Sequence, residues 1–272
     1  MGKVYLVGAG PGAPDLITLR GARVLARADI VFHDALVHAD VVALAQRAER
    51  IAVGKRCGRH STAQRFINKR LIDAARRYRT VVRLKGGDPM LFGRAQEEID
   101  ALRAAGVEVE VVPGVTAALA ASAELGVSLT QRGVSRSVTF ATPRVAAHGK
   151  PSDWARGVCA ADTAALYMAA GQLREVAAAL LAGGKPGGTP VAVVQSASLP
   201  GARRFVTTLG ELADAVLPAD GPVLILLGAV LRDYTAASSA AGVAAAAGRI
   251  TQLRPFDLHR YSAESARSSR AS

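Results

Sequence analysis

The sequence is poor in several residue types, and each shortage excludes a class of protein. It has only two cysteines, Cys57 and Cys159, whose separation fits neither a disulfide framework nor a zinc site, so we expect no metal. It contains no block of lysines and arginines and no zinc-finger spacing, so we expect no nucleic-acid binding. The apolar run at residues 222–231 is about half as long as a membrane helix, which predicts no membrane span. No basic segment followed by a long apolar stretch opens the chain, which predicts a cytoplasmic protein.

Aliphatic residues, by contrast, are abundant. Half of the 272 residues are hydrophobic and only 4% are aromatic, a mixture typical of buried parallel strands covered by helices. The 34 lysines and arginines outnumber the 22 acidic residues and give a formal net charge of +12. Such a charge attracts phosphates, anionic lipids or a ligand with several carboxylates, and its sign alone does not choose among them.

Short β-branched runs alternate with longer helical patterns, which predicts repeated βα units and an α/β fold with a largely parallel first sheet. The pattern begins again after residues 113–126, which predicts a second α/β domain. We expect an N-terminal domain over 1–120, a C-terminal domain over 121–235 and a disordered tail over 236–272. Residues 144–157 are interpreted as a mobile loop. The predicted strands are 4–8, 29–33, 50–54, 80–84, 107–112, 137–142, 163–169, 189–195, 203–208 and 222–228, and the predicted helices include 19–28, 63–77, 93–106, 173–184 and 209–217.

The opening stretch, residues 4–36, runs from a strand through a glycine turn and a helix to a second strand. Its GAGPGA segment (8–13) fits the dinucleotide-binding pattern G-x-G-x-x-[GA], with Asp34 where a ribose-binding acid would stand. Pro11 and Pro14, however, remove backbone donors from the loop that would have to hold a pyrophosphate. An NAD-dependent oxidoreductase and a purely structural turn both stay open at this point.

Longer motifs are more specific than this turn. The blocks GAGPG, KGGDP-x-x-FGR and PGVTAA follow one another in the chain, together with VGKRCGRHSTAQRFIN and LYM. On these motifs the chain resembles the tetrapyrrole methylase family over residues 3–233. The resemblance implies two α/β domains with the active site in the cleft between them, and a homodimer. It further implies S-adenosyl-L-methionine as methyl donor, S-adenosyl-L-homocysteine as product, and conversion of uroporphyrinogen III to precorrin-2 by methylation at C-2 and C-7.

The resemblance also assigns residues to the methyl donor. Glycines let the backbone approach a ligand closely, and a carboxylate beside them can pair with an ammonium group or a ribose. Pro11 is expected as a wall of the same site, and the positions of Ala197 and Val223 are expected to matter more than their side chains. The cofactor-binding residues implied in this way are Pro11, Gly86, Gly87, Asp88, Leu91, Thr116, Ala117, Met168, Ala197 and Val223.

Five further residues are assigned to the substrate and to proton transfer. Arg94, Glu97 and Arg132 match substrate-binding positions, and arginines clamp carboxylates such as the eight of uroporphyrinogen III. Arg94 and Glu97 are three residues apart, so an intrahelical ion pair on the surface is the alternative. Asp34 and Lys55 match the family's proton acceptor and donor, with a helix-capping aspartate and a surface lysine as the alternatives.

The chain departs from the family's usual motifs at several places. It has ATPRV where the family often has Thr-Gly-His after a strand, QRG in place of HRG, and YMA in place of YMG. These departures weaken the case for the ring position that is methylated more than the case for methyl transfer. A later corrin-pathway methylase is the nearest alternative, and a non-catalytic module that binds RNA or DNA is a more distant one.

Overall fold

The structure, a computed structural model, describes residues 1–53, 64–145, 152–217 and 221–240. It is an α/β fold with two five-stranded sheets. All neighbouring strands of the first sheet are parallel, as the sequence predicted. Its strands are β1 (Lys3–Gly8), β2 (Ile30–His33), β3 (Glu49–Ala52), β4 (Thr80–Lys85) and β5 (Glu108–Val112), in the order β3-β2-β4-β1-β5. Its helices are α1 (Leu19–Ala26), α2 (Ala39–Ala43), α3 (Gln64–Ala75) and α4 (Ala95–Ala104).

Alternation along the strands divides the apolar side chains of the first sheet between two cores. Leu6 and Val81 face one side and pack with apolar residues of α3 and α4. Val7 and Val82 face the other side, where α1 and α2 supply the partners. All four side chains are fully buried, and burial of each contributes about 1.5–3 kcal/mol. The strands therefore read as continuous apolar runs, because helices cover both faces.

The second sheet has a different strand pattern. Only β6 and β7 pair in parallel, whereas β10 is antiparallel to both β7 and β8, and β9 is antiparallel to β8. Residues 196–202 join β8 to β9 without a helix, and a connection this short permits only an antiparallel pair. The strands are β6 (Val138–Ala141), β7 (Thr163–Tyr167), β8 (Pro190–Gln195), β9 (Arg203–Thr208) and β10 (Val223–Gly228), in the order β6-β7-β10-β8-β9. The helices of this half are α5 (Ala117–Leu125), α6 (Trp154–Ala160), α7 (Leu173–Ala182) and α8 (Arg232–Ala240).

Three expectations about helices and loops need correction. The loop expected over 144–157 ends earlier, because α6 begins at Trp154. The helix expected over 209–217 is only a 3-10 turn at Leu212–Asp214, because the Glu211 carboxylate accepts hydrogen bonds from the end of β9 and fixes a turn there.

The third correction concerns the disordered tail expected over 236–272, since its first residues, through Ala240, belong to α8. Residues 241–272 lie outside the described residues. None of the helices in the described ranges has the length and apolar character needed to cross a bilayer.

Candidate active site

The carboxyl ends of the parallel strands carry most of the site residues that the sequence predicted in the first half. Pro11 follows β1, Asp34 follows β2, Asp88 follows β4, and Thr116 follows β5. Ligands of open α/β sheets bind outside this edge. Lys55 lies outside the described residues, so its predicted role as proton donor stays a prediction.

Three backbone donors of the opening loop are already in use within the protein. Ala9 N–H donates to the Lys85 carbonyl at 2.7 Å, and Gly10 N–H donates to the Gly87 carbonyl at 3.2 Å. Ala13 N–H donates to Ser198 Oγ at 3.1 Å, and Pro11 has no N–H to offer. A pyrophosphate would need these donors, so the loop does not form the anion cradle of a dinucleotide site.

Three segments meet at the glycine that ends β1 and the glycines that follow β4 and β5. A Cβ on Gly8 would lie 2.6 Å from Gly114 Cα, and a Cβ on Gly114 would lie 2.4 Å from the Gly87 carbonyl oxygen. Neither contact leaves space for a side chain. By contrast, a Cβ on Gly86 would meet nothing nearer than Leu36 Cβ at 3.5 Å, and one on Gly87 nothing nearer than Thr116 Cα at 3.9 Å. Gly86 and Gly87 therefore border open space in which a ligand can approach the backbone.

Asp88 holds two of these loops together. Its Oδ1 accepts from the Met90 N–H at 2.8 Å, and its Oδ2 accepts from the Gly114 N–H at 2.9 Å. Each oxygen has a further lone pair, so contact with a ligand is compatible with these bonds. The structure thus gives Asp88 a structural task that the sequence did not indicate. Leu91, farther along the same loop, is half-buried.

The second sheet presents one edge to this region. The ends of β7 and β8 and the start of β10 share that edge, because Leu224 pairs with Tyr167 and Val223 pairs with Gln195. Met168 and Ala197 follow β7 and β8, so the structure brings Met168, Ala197 and Val223 to a common edge. The side chain of Val223 packs into a core cluster, which leaves its backbone as the group able to meet a ligand.

Backbone strain is concentrated in the same loops. All non-glycine residues with positive φ in the described ranges follow β4, β7 or β8. Such conformations cost about 1–3 kcal/mol each and are common at ligand sites. They are Phe92, Arg94, Met168, Ser196 and Ser198, with φ between 52° and 71°.

Tyr167 joins the two edges. Its hydroxyl is 2.7 Å from Thr116 Oγ1 and accepts from the Ala118 N–H at 3.1 Å, at the start of α5. The rings of Tyr167 and Phe92 have centroids 5.0 Å apart. Burial raises the pKa of Tyr167, partly offset by the hydrogen bonds to Thr116 and Ala118, so the hydroxyl stays protonated at neutral pH. Sequence reasoning used its neighbour Met168 and missed this tyrosine.

The candidate substrate residues Arg94 and Glu97 form a bidentate pair. Arg94 Nε and Nη2 donate to the two oxygens of Glu97 at 2.8 and 2.7 Å, and both side chains are more than half exposed. The predicted surface pair is thus present, and a substrate carboxylate would share or replace Glu97 as partner. Arg132 is exposed on a tight turn closed by hydrogen bonds between Gln131 and Ser135. In the described part of the chain no carboxylate pairs with Arg132.

A buried charge cluster, defined here as Asp34, Arg83, Lys85 and Glu98, lies beneath the loops. Arg83 Nε donates to Glu98 at 3.0 Å, Arg83 Nη2 donates to Asp34, and Lys85 Nζ is 3.1 Å from Glu98 Oε2. Glu98 is fully buried and the two cations nearly so, whereas the Asp34 side chain is 30% exposed. Gln64 also donates to Glu98, at 3.1 Å. Sequence reasoning found only Asp34.

Electrostatics in the buried charge cluster act in opposite directions on its two cations. Burial alone would lower the pKa of Arg83, but Asp34 and Glu98 outweigh it and raise that pKa. Burial lowers the pKa of Lys85, and the nearby Arg83 lowers it further, while Glu98 and Asp34 partly compensate. Arg83 is therefore a permanent cation, and Glu98 favours the charged form of Lys85 against the effect of burial.

Comparison with known proteins identifies the family to which this geometry corresponds. The sequence pattern of the Tetrapyrrole (Corrin/Porphyrin) Methylases matches residues 3–213. The chain belongs to this family. The tetrapyrrole methylase fold also appears in solved structures: a uroporphyrin-III C-methyl transferase from Thermus thermophilus, complexed with S-adenyl homocysteine, is 40% identical with a TM-score of 0.76. That comparison covers 85% of this chain and 100% of the other.

Other tetrapyrrole methylases are similar over nearly the same region. A cobalt precorrin-4 methyltransferase of cobalamin biosynthesis is 29% identical with a TM-score of 0.72, covering 84% of this chain and 95% of the other. Siroheme synthase 1 of Cronobacter sakazakii is 44% identical over 232 residues, which is 85% of this chain and 49% of that protein. The chain spans about half the length of the curated relatives it matches. The predicted family and fold class are thus confirmed.

Proposed function

We propose that this tetrapyrrole methylase transfers methyl groups from S-adenosyl-L-methionine to C-2 and C-7 of uroporphyrinogen III and so forms precorrin-2. The observation that carries the proposal is the similarity to the Thermus uroporphyrin-III C-methyl transferase in complex with S-adenyl homocysteine. The family membership supports the methyl transfer, and the identity of the tetrapyrrole is the finer step that needs an assay.

The glycine-rich edge fits the methyl donor. Gly86 and Gly87 leave the backbone accessible beside Thr116. In the opening loop, three N–H groups that a pyrophosphate would need already donate hydrogen bonds within the protein. When bound, S-adenosyl-L-methionine supplies a methyl group on a positively charged sulfur. We propose that Gly86, Gly87, Thr116 and Ala117 hold it from the first sheet. The remaining proposed contacts are Pro11, Asp88, Leu91, Met168, Ala197 and Val223.

Charge supports a polycarboxylate substrate. The net charge of +12 attracts an eight-carboxylate tetrapyrrole, and exposed arginines give it directional partners. We propose that Arg94 and Arg132 bind acetate or propionate groups, with Glu97 holding Arg94 in place until the substrate arrives. The bidentate pair keeps the guanidinium oriented, which lowers the entropy that binding has to remove.

Asp34 is the proposed proton acceptor. When a carbon–methyl bond forms on the ring, the methyl–sulfur bond breaks and the ring must then lose one proton. Asp34 is the member of the buried charge cluster that is partly exposed, and it follows β2 at the ligand edge. Its Oδ1 accepts from Arg83, and no hydrogen bond to Oδ2 is found within the described residues. Oδ2 is therefore able to take the proton.

A product assay tests the proposed reaction. The purified protein is incubated with reduced uroporphyrinogen III and S-adenosyl-L-methionine, and the product is analysed by mass spectrometry and as the coloured sirohydrochlorin that forms on oxidation. We expect two added methyl groups. Arg132→Ala should raise KM for the tetrapyrrole and leave S-adenosyl-L-homocysteine binding unchanged. Arg136→Ala is the matched control, because its exposed side chain follows the same turn and only its backbone N–H binds Asp162.

The outcomes separate the alternatives. No methylated product from uroporphyrinogen III, together with methylation of a precorrin, would favour a later corrin-pathway methylase, which the similarity to the precorrin-4 enzyme makes a specific alternative. Binding of NADH without S-adenosyl-L-homocysteine binding in calorimetry would favour an oxidoreductase. Salt-sensitive binding to DNA or RNA without affinity for the methyl donor would favour a nucleic-acid module.

Three further expectations stay proposals. We propose that the chain acts as a homodimer, which a molar mass measured by light scattering during size-exclusion chromatography tests directly. We also propose the division into domains at 1–120 and 121–235, which limited proteolysis between the two sheets tests. A cytoplasmic location is the third, and fractionation of cells tests it.

A further inference from the structure

The buried charge cluster is unusual in how its charges balance. Two cations, Arg83 and Lys85, share a single fully buried anion, Glu98. The second negative charge that neutralises the group is Asp34, which is the member that reaches the surface. Asp34 is thus bound into a network whose other members are 0–4% exposed.

Arg83 is held by all three of its nitrogens. Nε donates to Glu98 at 3.0 Å, Nη1 lies 3.5 Å from the Phe32 carbonyl and 3.3 Å from the Leu84 carbonyl, and Nη2 donates to Asp34. A planar guanidinium fixed at three points has no alternative rotamer that keeps these bonds. The position of Asp34 Oδ1 is therefore set by the strand and helix that hold Arg83.

Stability alone does not account for this arrangement. A buried ion pair is often no more stabilising than apolar residues of the same volume, and here the apolar face that carries Val81 continues directly into Arg83 and Lys85. The cluster replaces aliphatic packing at the point where the strand reaches the ligand edge. A carboxylate that must meet a ring carbon gains from such support, because a displacement of about 1 Å can cost about 100-fold in rate.

We propose that Arg83, oriented by Glu98 and Lys85, is the positioning residue that fixes the Asp34 carboxylate for proton removal, an inference that rests on the proposed function. Because Arg83 holds Oδ1 of Asp34, Oδ2 of the same carboxylate keeps one fixed orientation at the ligand edge. Arg83 itself touches neither substrate nor methyl donor in this assignment. Arg83 acts by orienting the Asp34 carboxylate and does not have to give up a proton.

A double-mutant cycle on the methyl-transfer rate tests the inference. Arg83→Gln should lower kcat by about 100-fold, with KM for uroporphyrinogen III and the Kd of S-adenosyl-L-homocysteine within about twofold of wild type. In the Asp34→Asn background, Arg83→Gln should lower kcat by less than about threefold, because the carboxylate that Arg83 orients is absent. Arg83→Lys, which keeps a cation, should recover part of the rate.

Ile99→Ala is the matched control, since it removes a buried side chain beside Glu98 without changing any charge. It should unfold more easily and keep kcat at a temperature where it is folded. Equal rate losses for Arg83→Gln in both Asp34 backgrounds, or an unchanged kcat, would overturn the inference. If wild type methylates no uroporphyrinogen III, the proposed function fails instead. Urea unfolding of wild type, Arg83→Gln, Asp34→Asn and the double variant then decides the inference. Additive losses of unfolding free energy would mean that Arg83 does not hold Asp34.

Discussion

Removing the charge of Glu98 should destabilise the protein strongly. Glu98 is fully buried and accepts from Arg83 at 3.0 Å, from Lys85 at 3.1 Å and from Gln64 at 3.1 Å. Glu98→Gln keeps the volume but leaves two buried cations with Asp34 as their single counter-charge. Breaking a buried pair in this way costs about 3–5 kcal/mol, which corresponds to a fall in Tm of roughly 10 °C in a protein of this size.

Urea unfolding at pH 7, followed by circular dichroism, measures this loss. Glu97→Gln is the matched control, because Glu97 is the preceding residue on α4 but pairs on the surface with Arg94. An exposed pair contributes less than about 1 kcal/mol. If the unfolding free energies of the two variants differ by less than about 1 kcal/mol, the negative charge of Glu98 does not stabilise the two buried cations as expected.

The pH dependence of the Glu98→Gln variant gives a second check. Burial lowers the folded-state pKa of Lys85 below its ordinary value of 10.5, and Glu98 acts against that shift. Without Glu98 the folded-state pKa of Lys85 falls further, so the unfolded chain binds the proton more tightly than the folded one. Stability of the variant relative to wild type should therefore rise as the pH increases from 7 toward 10.5. Lys85→Met added to Glu98→Gln should abolish this rise.

Three other outcomes follow from local geometry. Gly114→Ala should abolish S-adenosyl-L-homocysteine binding in calorimetry, because its Cβ would lie 2.4 Å from the Gly87 carbonyl oxygen. Gly157→Ala, inside α6 with nothing within 4 Å of the added Cβ, should instead raise the unfolding free energy by about 0.5–1 kcal/mol. A hydrogen bond from the Arg136 backbone N–H, followed by bonds from the Ser137 hydroxyl and the Ser137 N–H, lowers the pKa of Asp162 below 3.8. The stability that these bonds contribute is therefore lost as the pH falls below that value, and Asp162→Asn should show a smaller acid loss in pH-dependent unfolding.

Much of the fold could be predicted from the sequence because its strands are apolar runs bounded by glycine or proline. Each predicted strand is present in the structure, and the first sheet is parallel as expected. The antiparallel pairing of β8 and β9 in the second sheet could have been recognised from residues 196–202, which are too few to hold a crossover helix. The helix expected over 209–217 failed because Glu211 bonds back to Thr208, a local interaction that helical periodicity does not reveal.

Some backbone features of the candidate site could be predicted from the sequence. The glycines after β4 predicted a backbone that a ligand can approach, and the space beside Gly86 and Gly87 is open in the structure. The contact between Gly8 and Gly114, which excludes side chains, was not predicted. Tyr167 was missed because an aromatic residue at the end of an apolar strand is ordinarily part of the core. Its hydroxyl bonds to Thr116, which is distant in sequence, and only the folded chain reveals that partner.

The buried charge cluster was missed although the sequence carries a signal for it. In VVRLK (81–85) two cations alternate with aliphatic residues, so Arg83 and Lys85 must share one face of a strand that helices cover on both sides. Charges on such a face need buried partners, and the covering helix offers an adjacent pair of glutamates of which only one can face inward. Glu98, one residue before the buried Ile99, is that partner, and Glu97 faces the solvent. The excess positive charge then requires a second anion at the carboxyl end of the neighbouring strand, where Asp34 stands.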